Sequence, residues 1–288
     1  MLHKTTTIGD FTLHALEAGV QMLDGGAMFG VVPKPLWEKR IPADERNRIP
    51  LALRCLLVET PHALVLIDNG VGNKEDEKFK SIYGVDNEAT DGSVTRLEQA
   101  IREAGFEPAD VDWMIDTHLH FDHAGGNTYI DEEAQLRLSF PRARYVVQNG
   151  ELAWAHRANE RTRASYFDRN YDPVLEAGRL ELVEGVARPL PGVELRPTPG
   201  HTPHHQSVLL RSGGETACFL ADLCPTSAHL PLAWIMGYDV EPLVTLETKR
   251  ALLAQAAREQ WLLVFEHDPV VPWGRIHYDG TRPVLTEP

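Results

Sequence analysis

The stretch that most limits what this chain can become is Thr117-His118-Leu119-His120-Phe121-Asp122-His123-Ala124-Gly125-Gly126. Three imidazoles and a carboxylate fall between positions 118 and 123, directly after the short strand expected at Asp112 to Asp116. A strand puts alternate side chains on one face, so His118 and His120 project together. If the chain then turns into a helix, Asp122 and His123 swing to an adjacent position, and two neighbouring metal sites arise from one loop. Gly125 and Gly126 let the backbone pass close by. Imidazole with carboxylate suits zinc, iron, cobalt or manganese, and the spacing does not choose among them.

A loop of this kind needs a layered scaffold. Thr12 to Leu23, Leu51 to Glu59 and Ala63 to Asp68 read as strands, the last two nearly continuous apolar runs of the kind covered on both faces. Ser93 to Ala104 has helical periodicity, with Ser93 as N-cap and Gly105 as stop. Arg144 to Val147 is a strand, followed by a helix near Glu151. Further strands follow at Leu180 to Val183, Val193 to Pro197, Gln206 to Leu210, Thr216 to Leu220 and Trp261 to Phe265, with a long helix at Pro242 to Glu259. Strands dominate each half and helices come late in each. That pattern predicts an α/β protein of two packed sheets with helices outside, a four-layer αβ/βα sandwich. The whole chain, 1–288, reads as one domain with an N-terminal excursion at 24–50. Its proline-rich part, Gly30 to Pro50, is long for a loop and carries Phe29, Leu36 and Trp37 within or beside it. A cap over a site or a contact in a homodimer is expected there.

Composition removes several function classes. The net charge of −14 works against nucleic-acid phosphates, and Arg157 to Arg169, the one arginine-rich stretch, reads as a solvated helix or loop. The chain has 43% hydrophobic residues, enough for a packed core, yet no run that would span a bilayer. The polar start, Met1 to Asp10, does not read as a signal peptide. Three cysteines, Cys55, Cys218 and Cys224, suit a reducing compartment, so a cytoplasmic protein is expected. Cys224 lies two residues after Asp222; it either lines the site or packs as a small buried group.

The 117–126 segment resembles the signature of the metallo-β-lactamase superfamily. Other positions match that family in order: Gly200-His201-Thr202-Pro203, then Phe219-Leu220-Ala221-Asp222, then Val264-Phe265-Glu266-His267. The resemblance implies two divalent metal ions, zinc foremost. His118, His120 and His201 would hold one, Asp122, His123 and His267 the other, and Asp222 would bridge them. It implies a hydrolase in which a metal-bridging hydroxide attacks a carbonyl or phosphoryl centre. Asp122 would pass a proton to the leaving oxygen, so Asp122 and Asp222 are the catalytic carboxylates.

Within the superfamily, His118 to Gly125 and the segment Leu23 to Lys34 are most similar to N-acyl homoserine lactonases. This implies a small-molecule lactone or ester substrate. Two departures concern substrate handling. Pro225 stands where some lactonases carry a carbonyl-binding tyrosine, leaving His229 and Tyr238 as candidates. His204-His205 replaces the common Gly-His, with His205 expected to support a ligand by hydrogen bonding. Met22, Phe29, Leu36, Trp37 and Trp234 are candidates for an acyl groove, each also readable as core or dimer contact. A phosphotriesterase or aryl esterase is the alternative. A glyoxalase-type thioesterase fits less, because little chain follows His267. A flavodoxin-linked oxidoreductase has no room, and structural zinc prefers closed, cysteine-rich shells.

Overall fold

The computed structural model describes residues 2–286. Met1, in the polar start, and the last two positions of the expected 1–288 domain lie outside the described residues. The chain divides into two compact units. The first takes the chain up to Val20 and then Leu53–Gly185, and the second takes Gln21–Ala52 and the chain from Val186 onward.

The sheet of the first unit is built on β1 (His3–Ile8), β2 (Phe11–Asp24), β3 (Arg48–Glu59), β4 (Leu64–Ile67) and β5 (Trp113–Ile115). A hairpin follows, β6 (Thr128–Ile130) and β7 (Leu136–Leu138), and then β8 (Arg144–Gln148) and β9 (Leu180–Val183) complete the sheet. Its order is β1-β2-β3-β4-β5-β8-β9. The chain passes between units within β2 and within β3. β1–β2 and β3–β4 are antiparallel, whereas β4, β5, β8 and β9 pair in parallel. Parallel neighbours need long crossovers. Helices Glu77–Tyr83 and Arg96–Glu103 serve β4 to β5, and Asn149–Ala155 and Asp172–Glu176 serve β8 to β9. The expected burial of β3 is observed, since Leu51 to Val58 is buried at every position. Leu53, Cys55 and Leu57 pack in one core with Leu97, Ile101 and Phe140.

The helix expected from Ser93 starts at Arg96 instead. Thr95 is its cap: its hydroxyl accepts from Glu98 N at 3.3 Å, while Glu98 Oε2 accepts from Val94 N at 2.6 Å. The pair Thr95 and Glu98 satisfies amides that Ser93 is too far upstream to reach.

The second unit holds β10 (Ala187–Leu190), β11 (Val193–Pro197), β12 (Gln206–Ser212), β13 (Glu215–Phe219), β14 (Leu262–Val264), β15 (Trp273–Asp279) and β16 (Arg282–Thr286), paired in sequence order. β13–β14 is a parallel step, and the helix Pro242–Glu259 is part of the crossover it requires. Leu252, Leu253, Trp261, Leu263 and Phe265 pack with Cys218 in its core. The excursion is more ordered than its prolines suggest. Gly25–Phe29 and Lys34–Trp37 are short helices, the first capped by Asp24 Oδ1 accepting from Ala27 N at 2.8 Å. Met28, Phe29, Trp37 and Ile41 form a small core with Ile49, Leu51 and Met236. Burying each large side chain of that group contributes roughly 1.5–3 kcal/mol. Among the described residues, no helix is long and apolar enough to cross a membrane.

Candidate metal centre

In the first unit the decisive loop leaves the carboxyl end of β5, where parallel sheets place their ligands. Asp68, just past β4, organises it. Its Oδ1 accepts from Thr117 N at 2.7 Å, and its Oδ2 accepts from the Thr117 hydroxyl at 2.7 Å and lies 3.0 Å from His123 Nδ1. Because the Thr117 hydroxyl donates to Asp68, it is an acceptor for His118 Nδ1, 3.1 Å away. Both histidines therefore carry their proton on Nδ1 and present a basic Nε2. The rings of His118 and His120 have centroids 4.5 Å apart, those of His118 and His123 4.0 Å. Asp122 Oδ1 lies 3.8 Å from His123 Nε2. As expected, Phe121–Ala124 turns into one short helix after the two alternating histidines. Gly125 and Gly126 follow it at positions where an added Cβ would come within 2.4 Å of Val71 O and 2.2 Å of Asn69 O.

In the second unit His201, Asp222 and His267 come from three separate loops, after β11, β13 and β14. Asp222 faces both histidines: its Oδ2 is 3.0 Å from His201 Nε2 and its Oδ1 is 3.1 Å from His267 Nε2. One carboxylate thus addresses two imidazoles through different oxygens. His201 Nδ1 is held by Asp239 at 3.0 Å, and His267 Nδ1 donates to Ala52 O at 2.8 Å. Burial disfavours a charged His201, but Asp222 and Asp239 outweigh it and lift the imidazole to about 10. His205 fills the supporting place expected of it. Its Nε2 accepts from Asp222 N at 3.2 Å and its Nδ1 lies 2.8 Å from Thr198 Oγ1.

The donor chemistry of each unit fits a divalent metal. Imidazoles anchored through Nδ1 and carboxylates beside them, with no thiolate, are the ligands zinc, iron, cobalt and manganese take.

The substrate-side candidates are placed differently. Phe29 and Trp37, candidates for a groove, and His229, a candidate for the missing tyrosine's role, are fully buried. Phe29 stacks on Trp37 at 5.3 Å and on His229 at 4.5 Å, so the rings cover one another. His229 is also locked at both nitrogens, by Thr226 Oγ1 at 2.7 Å and Met28 O at 2.8 Å, and burial pushes it down to about 3. It is a neutral packing residue. Met22 and Trp234 are partly buried, Leu36 and Tyr238 exposed, and Lys249 fixes the Trp234 carbonyl at 2.8 Å. Cys224 is buried, its thiol raised by burial to about 11 and directed to Thr226 O at 3.6 Å, which is the packing role.

Sequence reasoning missed the anchors Asp68 and Asp239. Asp68 was readable as the polar end of an apolar strand, but Asp239 sits in a loop with no local signal. It also missed an aromatic group around Phe121. Phe79 and Tyr83, one helical turn apart, have ring centroids 4.9 and 5.0 Å from Phe121, and Phe167 lies at 6.0 Å. Burial and the charge of Asp122 raise the Tyr83 phenol above its usual range, which keeps it protonated.

Comparison with known proteins agrees with this geometry. The profile of the metallo-beta-lactamase superfamily matches residues 50–267. An N-acyl homoserine lactonase of a Bacillus species is 28% identical over 233 residues, 76% of this chain and 82% of that one. The crystal structure of a probable metal-dependent hydrolase from Staphylococcus aureus is 32% identical with a TM-score of 0.87, covering 98% of this chain and 99% of that one. AidC, a dizinc quorum-quenching lactonase solved with its product, is 20% identical with a TM-score of 0.81, covering 99% and 97%. The chain belongs to the metallo-β-lactamase superfamily, has its α/β fold, and is a metal-dependent hydrolase.

Proposed function

We propose that this protein opens the ester ring of lactones, N-acyl homoserine lactones being the substrate class, at a dinuclear centre. His118, His120 and His201 would hold one ion, Asp122, His123 and His267 the other, and Asp222 would bridge. The observation that carries the reading is Asp222, with each carboxylate oxygen 3.0–3.1 Å from a different histidine. The lactonase relatives support the substrate class. The superfamily match, spanning 50–267 across both units, supports treating the chain as a single hydrolase domain. The buried free cysteines fit a reducing cytoplasm.

Bound ions would supply Lewis acidity and a nucleophile at neutral pH, and zinc suits these donors. The chain's own residues do the rest. The Nδ1 anchors keep the imidazoles basic at Nε2 and fixed in direction. Asp122 takes up a proton and gives it to the ring oxygen as the ester opens. Tyr83 packs its ring 5.0 Å from that of Phe121, and burial together with the charge of Asp122 keeps its phenol protonated. Met22 and Trp234, both partly buried in the second unit, remain the candidates to offer apolar surface to an acyl chain.

The test is turnover by zinc- or cobalt-loaded protein on short- and long-chain N-acyl homoserine lactones, a γ-lactone, a thioester and paraoxon. Acyl homoserine lactones should turn over fastest. Fast turnover of paraoxon alone would move the protein to the phosphotriesterases. We also propose a homodimer through the 24–50 excursion, where Val31 and Leu36 are 93% and 51% exposed. Light scattering that gives the mass of a monomer at micromolar concentration would sink that.

A further inference from the structure

The segment 69–74 lies against the backbone that leaves Asp122 and His123. Asn69 N donates to His123 O at 2.8 Å and Gly126 N donates to Gly70 O at 3.0 Å. The fit leaves no room for side chains: a Cβ on Gly72, whose φ is +75°, would stand 2.5 Å from Gly125 O. At the end of this seam the Lys74 amine donates to Gly125 O and, at 2.6 Å, to Thr128 O. Gly125 is two residues past His123.

We propose that Lys74 is a positioning residue for the metal centre: its amine locks the exit of the ligand loop and thereby sets how tightly Asp122 and His123 hold an ion. This rests on the metal-centre reading above. A lysine suits the task because an ammonium has three donors and no acceptor, so one group satisfies two carbonyls at once. The charges facing it are Glu75 and Arg169, and these pair with each other at 2.7 Å. Glu75 is thereby largely spoken for, which leaves the two carbonyls as the amine's closest partners. Burial accordingly draws the amine down to about 7, with Glu75 opposing. Such a group holds its place by geometry and not by an ion pair of its own.

The test is cobalt(II) affinity by chelator competition, with the visible spectrum of the bound ion, for wild type, Lys74→Met, Lys74→Arg and Asn87→Ala. Asn87 Nδ2 donates to Gly72 O at 2.6 Å, so the last variant loosens the same segment without touching Gly125 or Thr128. Lys74→Met should weaken cobalt binding about 10–100-fold and alter the spectrum, the range seen when a supporting partner of a metal ligand is lost. Lys74→Arg, which keeps charge and donors, should recover most of the affinity, and Asn87→Ala should match wild type. Wild-type affinity and spectrum in Lys74→Met would overturn the proposal. So would an equal loss in Asn87→Ala or in Lys74→Arg. A wild-type protein that binds no cobalt would instead overturn the metal-centre reading, and this proposal with it.

Discussion

The two units supply their candidate ligands in opposite ways. The first draws His118, His120, Asp122 and His123 from one strand end and the helical turn after it, so local geometry alone brings them together. The second draws His201, Asp222 and His267 from loops after three strands, so only the completed sheet β10–β16 makes them neighbours. The first cluster leans on Asp68, which makes three contacts. The second gives each ligand its own support: Asp239, His205 and Ala52. A contiguous cluster can share one anchor, whereas dispersed ligands each need one.

The largest effect is expected at Asp222, where the dispersed set converges. Asp222→Asn removes the shared charge and should cost at least about 100-fold in turnover together with bound metal. Elemental analysis showing two ions per chain with full turnover would refute the bridging role. Next comes the shared anchor: Asp68→Asn should weaken metal binding about 10–100-fold, because the amide offers one acceptor oxygen where Thr117 and His123 share two. Asp239→Asn touches one histidine and should cost about tenfold, the lower end of that range. If chelator competition shows the Asp239 variant to be the weaker of the two, the comparison between shared and separate anchors fails.

The second unit also has its own pH signature. His201 is raised to about 10, so its proton stabilises the metal-free fold fully below the ordinary histidine value of 6.5 and is lost as pH rises through about 10. A metal must displace that proton. Affinity should therefore fall about tenfold per unit of decreasing pH for each proton displaced, with proton release seen by calorimetry in buffers of different ionisation heat. No release at pH 7 would contradict the assignment. The smallest effect belongs to Cys224→Ala, which removes a buried thiol that touches only Thr226 O among the bonds described. It should leave metal content unchanged and cost about 1 kcal/mol or less of stability.

The same contrast governs what the sequence disclosed. The first cluster was legible because its spacing is its geometry. The strands β3, β4 and β14 and the helix Pro242–Glu259 were legible because their apolar runs and caps are local. His201, Asp222 and His267 were found through family resemblance and not through any pattern of their own. β1, β10, β15 and β16 escaped because they are short or mostly polar strands defined by pairing. Phe29, Trp37 and His229 were read toward the substrate because buried and ligand-facing aromatics look alike in sequence. The stacking of Phe29 on His229 joins residues 200 positions apart, which no periodicity reports.

The pairing of Ala52 with His267 has a consequence in time. Ala52 N donates to His267 O at 3.1 Å while His267 Nδ1 donates to Ala52 O, so the second unit closes on itself across most of the chain. A ribosome delivers the first unit whole by Gly185, but Gln21–Ala52 must wait for partners that emerge last. Until then Phe29, Trp37 and Ile49 have no finished core to enter. A nascent chain halted before Ala228 would lack Trp234 and Met236 as partners for that apolar segment and leave it a natural target for chaperones, however well its first unit had folded.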